Sequence, residues 1–261
     1  MTVPVLALTT PAGPADAPLL VLGPSLGTST ILWEDTVPAL SARYRVVAWD
    51  LPGHGASPAA REGFTVADLA DAVAAAVREV TADPVLYAGV SLGGAVGLAL
   101  ALRHPSLVRR AAIVASGAQL GEPSAWHDRA AQVRAQSTSS LIVASAQRWF
   151  APESISRRPE LSGRLLHALQ DADDESYALC CEALAAYDVR PELGGIAMPV
   201  LAVWGEFDLV APEPKAVEIA SGVLDGTLVR IADAAHLPPA EQPEDVAAVL
   251  AAFFTPSEED R

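Results

Sequence analysis

Pro84-Val-Leu-Tyr-Ala-Gly-Val-Ser-Leu-Gly-Gly-Ala-Val-Gly-Leu-Ala-Leu-Ala-Leu-Arg-His104 decides the fold. Its first seven residues are an apolar run of strand type, and from Leu92 a helical stretch, uncharged as far as Leu102, runs to His104 and Pro105. Between the two stands Gly89-x-Ser91-x-Gly93. A strand that turns sharply into a helix needs small residues on both sides of the turn, and such a turn lifts the serine hydroxyl out of the sheet. Ser91 is therefore a candidate nucleophile. Val85 to Leu102 carries no charge and includes Gly93-x-x-x-Gly97, a pattern that membrane helices also show. The glycines and serine at its centre favour a short strand entering a buried helix over a membrane span.

The same alternation extends in both directions. Leu19–Leu22, Arg45–Trp49, Arg110–Ala115, Val200–Trp204 and Thr227–Ile231 read as further strands, with Val5–Leu8 as a weak edge candidate. Val66, Leu69, Ala70, Val73, Ala76, Val77 and Val80 share one helical face behind Thr65, which forms a capping-box pattern with Asp68. Pro243 opens a closing helix through Phe254, and the acidic tail from Thr255 to Arg261 is expected to fray. Strands separated by helices indicate an α/β fold with a mainly parallel central sheet and flanking helices. The alternation breaks once, between Ser116 and Pro199. Helical patterns at Trp126–Gln136, Ser140–Phe150, Leu161–Gln170 and Glu175–Tyr187 fill that gap. The expected organisation is a core of residues 1–117 and 196–261 and a helical cap of residues 118–195, placed over the carboxyl ends of the strands where open α/β sheets bind ligands.

Serine at neutral pH is a poor nucleophile and needs a base that a third group orients. With this type of turn the chain order is serine, acid, histidine. Asp208, just past the strand at 200–204, and His236, just past the strand at 227–231, meet that order, with Glu206 as second candidate for the acid. His54, His104, His127 and His167 fall in a loop, at a helix end and on cap helices, and are read as surface or capping residues. A tetrahedral intermediate needs two N–H donors, one from the residue after the nucleophile and one from a loop after an early strand. Leu92 is the first. Leu26 in Gly23-Pro-Ser-Leu-Gly-Thr28 is the second by register, with Ser25 or its hydroxyl as the alternative. That loop lacks the spacing and lysine of a phosphate loop, and Asp50-Leu-Pro-Gly-His-Gly-Ala-Ser57 reads as a structural turn. No metal-ligand or nucleotide motif is present, so neither a metal nor a cofactor is expected.

Composition narrows the partners. The chain has 261 residues, 51% of them hydrophobic, which suffices for a sizeable core. Seventeen Lys and Arg stand against 32 Asp and Glu, a formal charge of −15 that disfavours nucleic acid and anionic lipid. Adjacent Cys180 and Cys181 cannot staple distant segments, and Met1-Thr-Val-Pro4 lacks the basic start of a signal peptide. A cytoplasmic location is expected, with no membrane or nucleic-acid partner; oligomeric state is not legible.

Taken together, Gly23–Thr28 with Trp33, Asp50–Ser57, Gly89–Gly94, Trp126-His-Asp-Arg129, Arg148-Trp-Phe150, Cys180–Asp188 and Ala235–Pro243 resemble the α/β-hydrolase fold and, within it, the 3-oxoadipate enol-lactonases of aromatic-acid degradation. The resemblance covers nearly the whole chain. It implies hydrolysis of a five-membered enol-lactone that bears a carboxymethyl arm, a small anionic lactone, with no cofactor. Such a substrate asks for a local cation. Trp126, Arg129, Arg148 and Trp149 are the candidates in the cap, with Ser25 beside the oxyanion loop and Arg134 as a weaker choice. The rival reading is an esterase for small neutral esters.

Overall fold

A computed structural model of the chain describes residues 3–255. Six strands form one parallel sheet: β1 (Leu19–Gly23), β2 (Arg45–Ala48), β3 (Val85–Val90), β4 (Val108–Val114), β5 (Val200–Gly205) and β6 (Gly226–Ile231). Their order across the sheet is β2-β1-β3-β4-β5-β6, and every pair is parallel. All six residues of β3 are buried, as helices covering both faces of a parallel sheet require. Gly23 of β1 lies opposite Gly89 of β3, which brings the loop after β1 beside the turn at Ser91.

Among the described residues, eight helices of eight residues or more accompany the sheet: α1 (Val66–Arg78), α2 (Leu92–Arg103), α3 (Pro123–Gln136), α4 (Ile142–Trp149), α5 (Pro159–Asp171), α6 (Asp174–Ala185), α7 (Glu213–Gly222) and α8 (Pro243–Phe254). Thr65 caps α1 as its sequence indicates, accepting from Asp68 N while Asp68 Oδ2 accepts from Thr65 N at 2.8 Å. Ten of the twelve residues of α2 are buried, which accounts for the uncharged stretch: it is a central strand followed by a central helix. Among the described residues no helix is long and apolar enough to cross a membrane.

Helices α3 to α6 occupy the interval between β4 and β5, and residues of α3, α4 and α6 line one cavity together with Ser91 and His236 from the strand ends. Proline at the first turn of α3 and α5 starts each helix earlier than the apolar periodicity alone suggests. The weak edge candidate at Val5–Leu8 is not a strand. This segment crosses the free edge of β2, where Leu8 and Ala12 make single antiparallel bridges to Trp49 and Val46. Pro4, Pro11 and Pro14 lack the N–H groups that a longer ladder would use. Of the tail, Thr255 closes α8 by donating from N and Oγ1 to Ala251 O, and the rest lies outside the described residues.

Candidate active site

Ser91 follows β3 directly and adopts φ 54° and ψ −115°, a backbone conformation that side-chain-bearing residues rarely take. Such a geometry costs about 1–3 kcal/mol and persists only where its surroundings enforce it. Here Ser91 N donates to Val114 O at 2.9 Å, and Ser91 O accepts from Ser116 Oγ at 2.7 Å and from Ala95 N at 2.9 Å. Packing then explains both glycines of the motif. A Cβ on Gly89 would lie 2.3 Å from Gly93 O, and one on Gly93 would lie 2.6 Å from Pro24 O.

His236 and Asp208 come from the loops after β6 and β5. His236 Nδ1 lies 3.0 Å from Asp208 Oδ2 and 3.2 Å from Oδ1, and both side chains are buried. Because the ionised carboxylate only accepts, Nδ1 carries the proton and donates, leaving Nε2 for a serine. Val210 N and Ala211 N donate to Asp208 Oδ1 at 2.7 and 3.1 Å, which fixes the carboxylate's orientation. Burial alone would raise the Asp208 pKa; the charge and hydrogen bond of His236, with the two amides, outweigh burial and hold it below its ordinary value. Glu206 is engaged elsewhere, with Arg230 Nη1 at 3.2 Å and Asp233 N at 3.2 Å.

One cavity of about 220 Å³ collects the sequence-derived residues. Ser25, Leu26, Ser91 and His236 form its floor from the strand ends, and Trp126, Arg129, Arg148 and Trp149 line it from the helical segment. Leu92 and Asp208 stand behind that floor, buried. Among the described residues neither the Leu26 nor the Leu92 N–H donates to a protein acceptor, so both amides are available to a ligand. The Arg129 guanidinium carbon lies 4.8 Å from the Trp126 ring centroid. Arg148 is half-buried; burial first, and then the charge of Arg129, depress its pKa, with Tyr177 acting the other way. Neither arginine has an ion-pair partner among the described residues, in a chain of net charge −15. Arg134 does not share this position. It is spent on Glu175 at 2.7 Å and Glu182 at 2.5 Å.

Some participants were not legible beforehand. Tyr177, Ser145, Leu209 and Val210 also line the cavity, and no motif marks them. Glu241 is buried and accepts from Ala235 N and, at 2.8 Å, from Ala151 N, tying the His236 loop to the chain just past Trp149. His54 is neither a surface nor a capping residue: it is 1% exposed and bonded to the loop that carries Leu26. Its place between Gly53 and Gly55 in the turn at Asp50–Ser57 was the available signal. No three His, Cys, Asp or Glu side chains among the described residues are grouped as a metal site would need.

A strained serine at a strand-to-helix turn, a buried histidine–aspartate pair and two free amides at one sheet edge are joined by a family match: residues 18–243 match the α/β hydrolase fold family. The chain belongs to that family. It is a hydrolase with the six-stranded parallel sheet of that fold. Its relatives include 3-oxoadipate enol-lactonase 2 of Acinetobacter baylyi, 34% identical over 89% of this chain and 86% of the relative. The pimeloyl-acyl-carrier-protein methyl ester esterase of Neisseria meningitidis is 32% identical over 87% of this chain and 89% of its own. Among solved structures, the enol-lactonase of Burkholderia xenovorans superposes with a TM-score of 0.92 at 32% identity, covering 96% of each chain.

Proposed function

We propose that this hydrolase opens the ring of 3-oxoadipate enol-lactone to give 3-oxoadipate, in the degradation of aromatic compounds. The observation that carries this reading is the pair Arg129 and Arg148, without ion-pair partners among the described residues and lining the same small cavity as Ser91 and His236. A general esterase has no use for two guanidinium groups at that position, whereas an anionic lactone in a −15 protein needs a local cation. The cavity also falls below the roughly 300 Å³ at which pockets for drug-sized ligands begin, which suits a compact ring. Residues 118–195 act as the cap that supplies these contacts, over a core of 1–117 and 196–261.

In this reading Ser91 Oγ gives its proton to His236 Nε2 and attacks the lactone carbonyl carbon. The N–H groups of Leu26 and Leu92 receive the oxyanion, and Asp208 stabilises the imidazolium. Collapse restores the carbonyl and breaks the ring C–O bond. The departing enolate takes up the proton held by the His236 imidazolium, becomes the ketone and leaves His236 neutral. Water, deprotonated by His236, then attacks the acyl carbon and releases Ser91 and a second carboxylate. An ultraviolet assay of enol-lactone loss, run beside a neutral aryl ester, tests the substrate; hydrolysis of the aryl ester with no action on the lactone would favour the esterase reading.

A further inference from the structure

Two buried polar side chains behind the Ser25–Leu26 peptide take no part in the chemistry just described. Thr28 is fully buried, and both its N–H (3.0 Å) and its Oγ1–H (2.8 Å) donate to Ser25 O. Ser25 C=O and Leu26 N–H belong to one peptide unit, and a trans peptide points the two groups in opposite directions. Two donors holding the carbonyl oxygen therefore aim the Leu26 N–H the other way, and Leu26 lines the same cavity as Ser91. They also polarise that peptide, which strengthens its N–H as a donor.

His54 holds the next peptide. Gly27 N–H donates to His54 Nε2 at 3.2 Å, and His54 Nδ1 lies 2.9 Å from Pro52 O. An amide only donates and a carbonyl only accepts, so the neighbours assign the tautomer: Nδ1 carries the proton and Nε2 presents its lone pair. The ring is itself fixed, stacked on Tyr177 with centroids 6.0 Å apart. Gly27 has φ 82°, a left-handed conformation that glycine takes readily in the turn closed by Thr28 N–H and Ser25 O.

We propose that Thr28 and His54 are positioning residues that clamp the Leu26 peptide, keeping its N–H turned to the developing oxyanion and preventing a flip that would present the Ser25 carbonyl instead. The proposal rests on the serine-hydrolase reading above. Without the clamp the substrate still binds, but the transition state loses part of one donor, so the loss belongs in kcat and not in KM. Removing an oxyanion donor outright costs about 10²- to 10³-fold; Thr28→Val removes one of two hydrogen bonds that aim it, and a loss on the order of 10-fold is expected.

The test compares Thr28→Val, Thr28→Ser and His54→Phe with the parent on a small aryl acetate. Active sites are counted by fluorophosphonate labelling, and affinity is measured for a boronic acid, whose adduct mimics the tetrahedral intermediate. Thr28→Val and His54→Phe should lower kcat per labelled site about 10-fold with KM within about twofold, and weaken boronic acid binding in parallel. Thr28→Ser, which keeps the hydroxyl, should recover most of the rate. Parent-like kcat per labelled site in Thr28→Val, or a Thr28→Ser variant as slow as Thr28→Val, overturns the clamp. A parent that is not labelled at Ser91 overturns the underlying serine-hydrolase reading instead, so the two failures are distinct.

Discussion

The hydroxyl of Ser91 has no structural duty in this site, because the hydrogen bonds that hold the residue run through its backbone N and O. Ser91→Ala should therefore stay folded, with an unchanged circular dichroism melt, and lose activity by a factor on the order of 10⁴ or more. Retained turnover in a cleanly purified variant would contradict the mechanism. Asp208 is different, because its carboxylate serves two amides and a histidine at once. Asp208→Asn keeps one oxygen for Val210 and Ala211 but turns an NH₂ or the wrong acceptor toward His236, and a loss of about 10³- to 10⁴-fold in kcat is expected. These three residues were legible in the sequence because the turn, the chain order and the ends of two strands all converge on them. His54 and Thr28 were not: the glycines around His54 mark a turn, but not that its ring accepts from Gly27 N across the fold, and a threonine in a Gly-rich loop does not show which carbonyl its hydroxyl holds.

Elements differed in how clearly they could be read. Strands β1 to β6 and the long helices announce themselves by apolar period, and the structure moves their ends by only a few residues. Helix α7 gave no such signal, because it buries only Ala216 and Ile219 and is otherwise exposed or partly covered. At this scale Glu241 is the most informative residue, since it joins the His236 loop to the end of the α4 segment. Burial raises its pKa to about 7, against the amides of Ala235 and Ala151, the hydrogen bond of Ser154 and the charge of His236, which lower it. In the folded state the group thus holds a proton that the unfolded chain releases above its ordinary 4.5, so its contribution is complete below pH 4.5 and is lost as pH rises through 7. His54 slopes the other way. Burial lowers its pKa from 6.5 to about 4, and its contribution is complete above pH 6.5 and lost as pH falls through 4. Glu241→Gln removes only the first of these. Its melting temperature should lie below the parent's at pH 5, with the gap narrowing at pH 8, and a gap that stays constant or widens would show that Glu241 is ionised throughout.

For the molecule as a whole, the charge balance and the placement of α3 to α6 pose the central question. A chain of net charge −15 keeps two arginines without an ion-pair partner among the described residues in a small cavity beside its nucleophile, while Arg134, Arg158 and Arg164 on the same helical segment are tied to Glu or Asp. The sequence could place Arg129 and Arg148 on helices of that segment, but which arginines face inward depends on helix rotation and on the position of acidic partners remote in sequence. A charge-assisted pair excluded from water contributes roughly 1.5–3 kcal/mol, or roughly 10- to 150-fold in kcat/KM. Arg129→Met and Arg148→Met, assayed separately, should lower kcat/KM for the anionic lactone while sparing a neutral aryl ester. The most direct measurement is kcat/KM of the parent for 3-oxoadipate enol-lactone against its methyl ester, followed by loss of enol absorbance. Preference for the free acid by roughly 10- to 150-fold is the expected result; equal rates on the two, or no hydrolysis of the lactone, would contradict recognition of a carboxylate in this cavity.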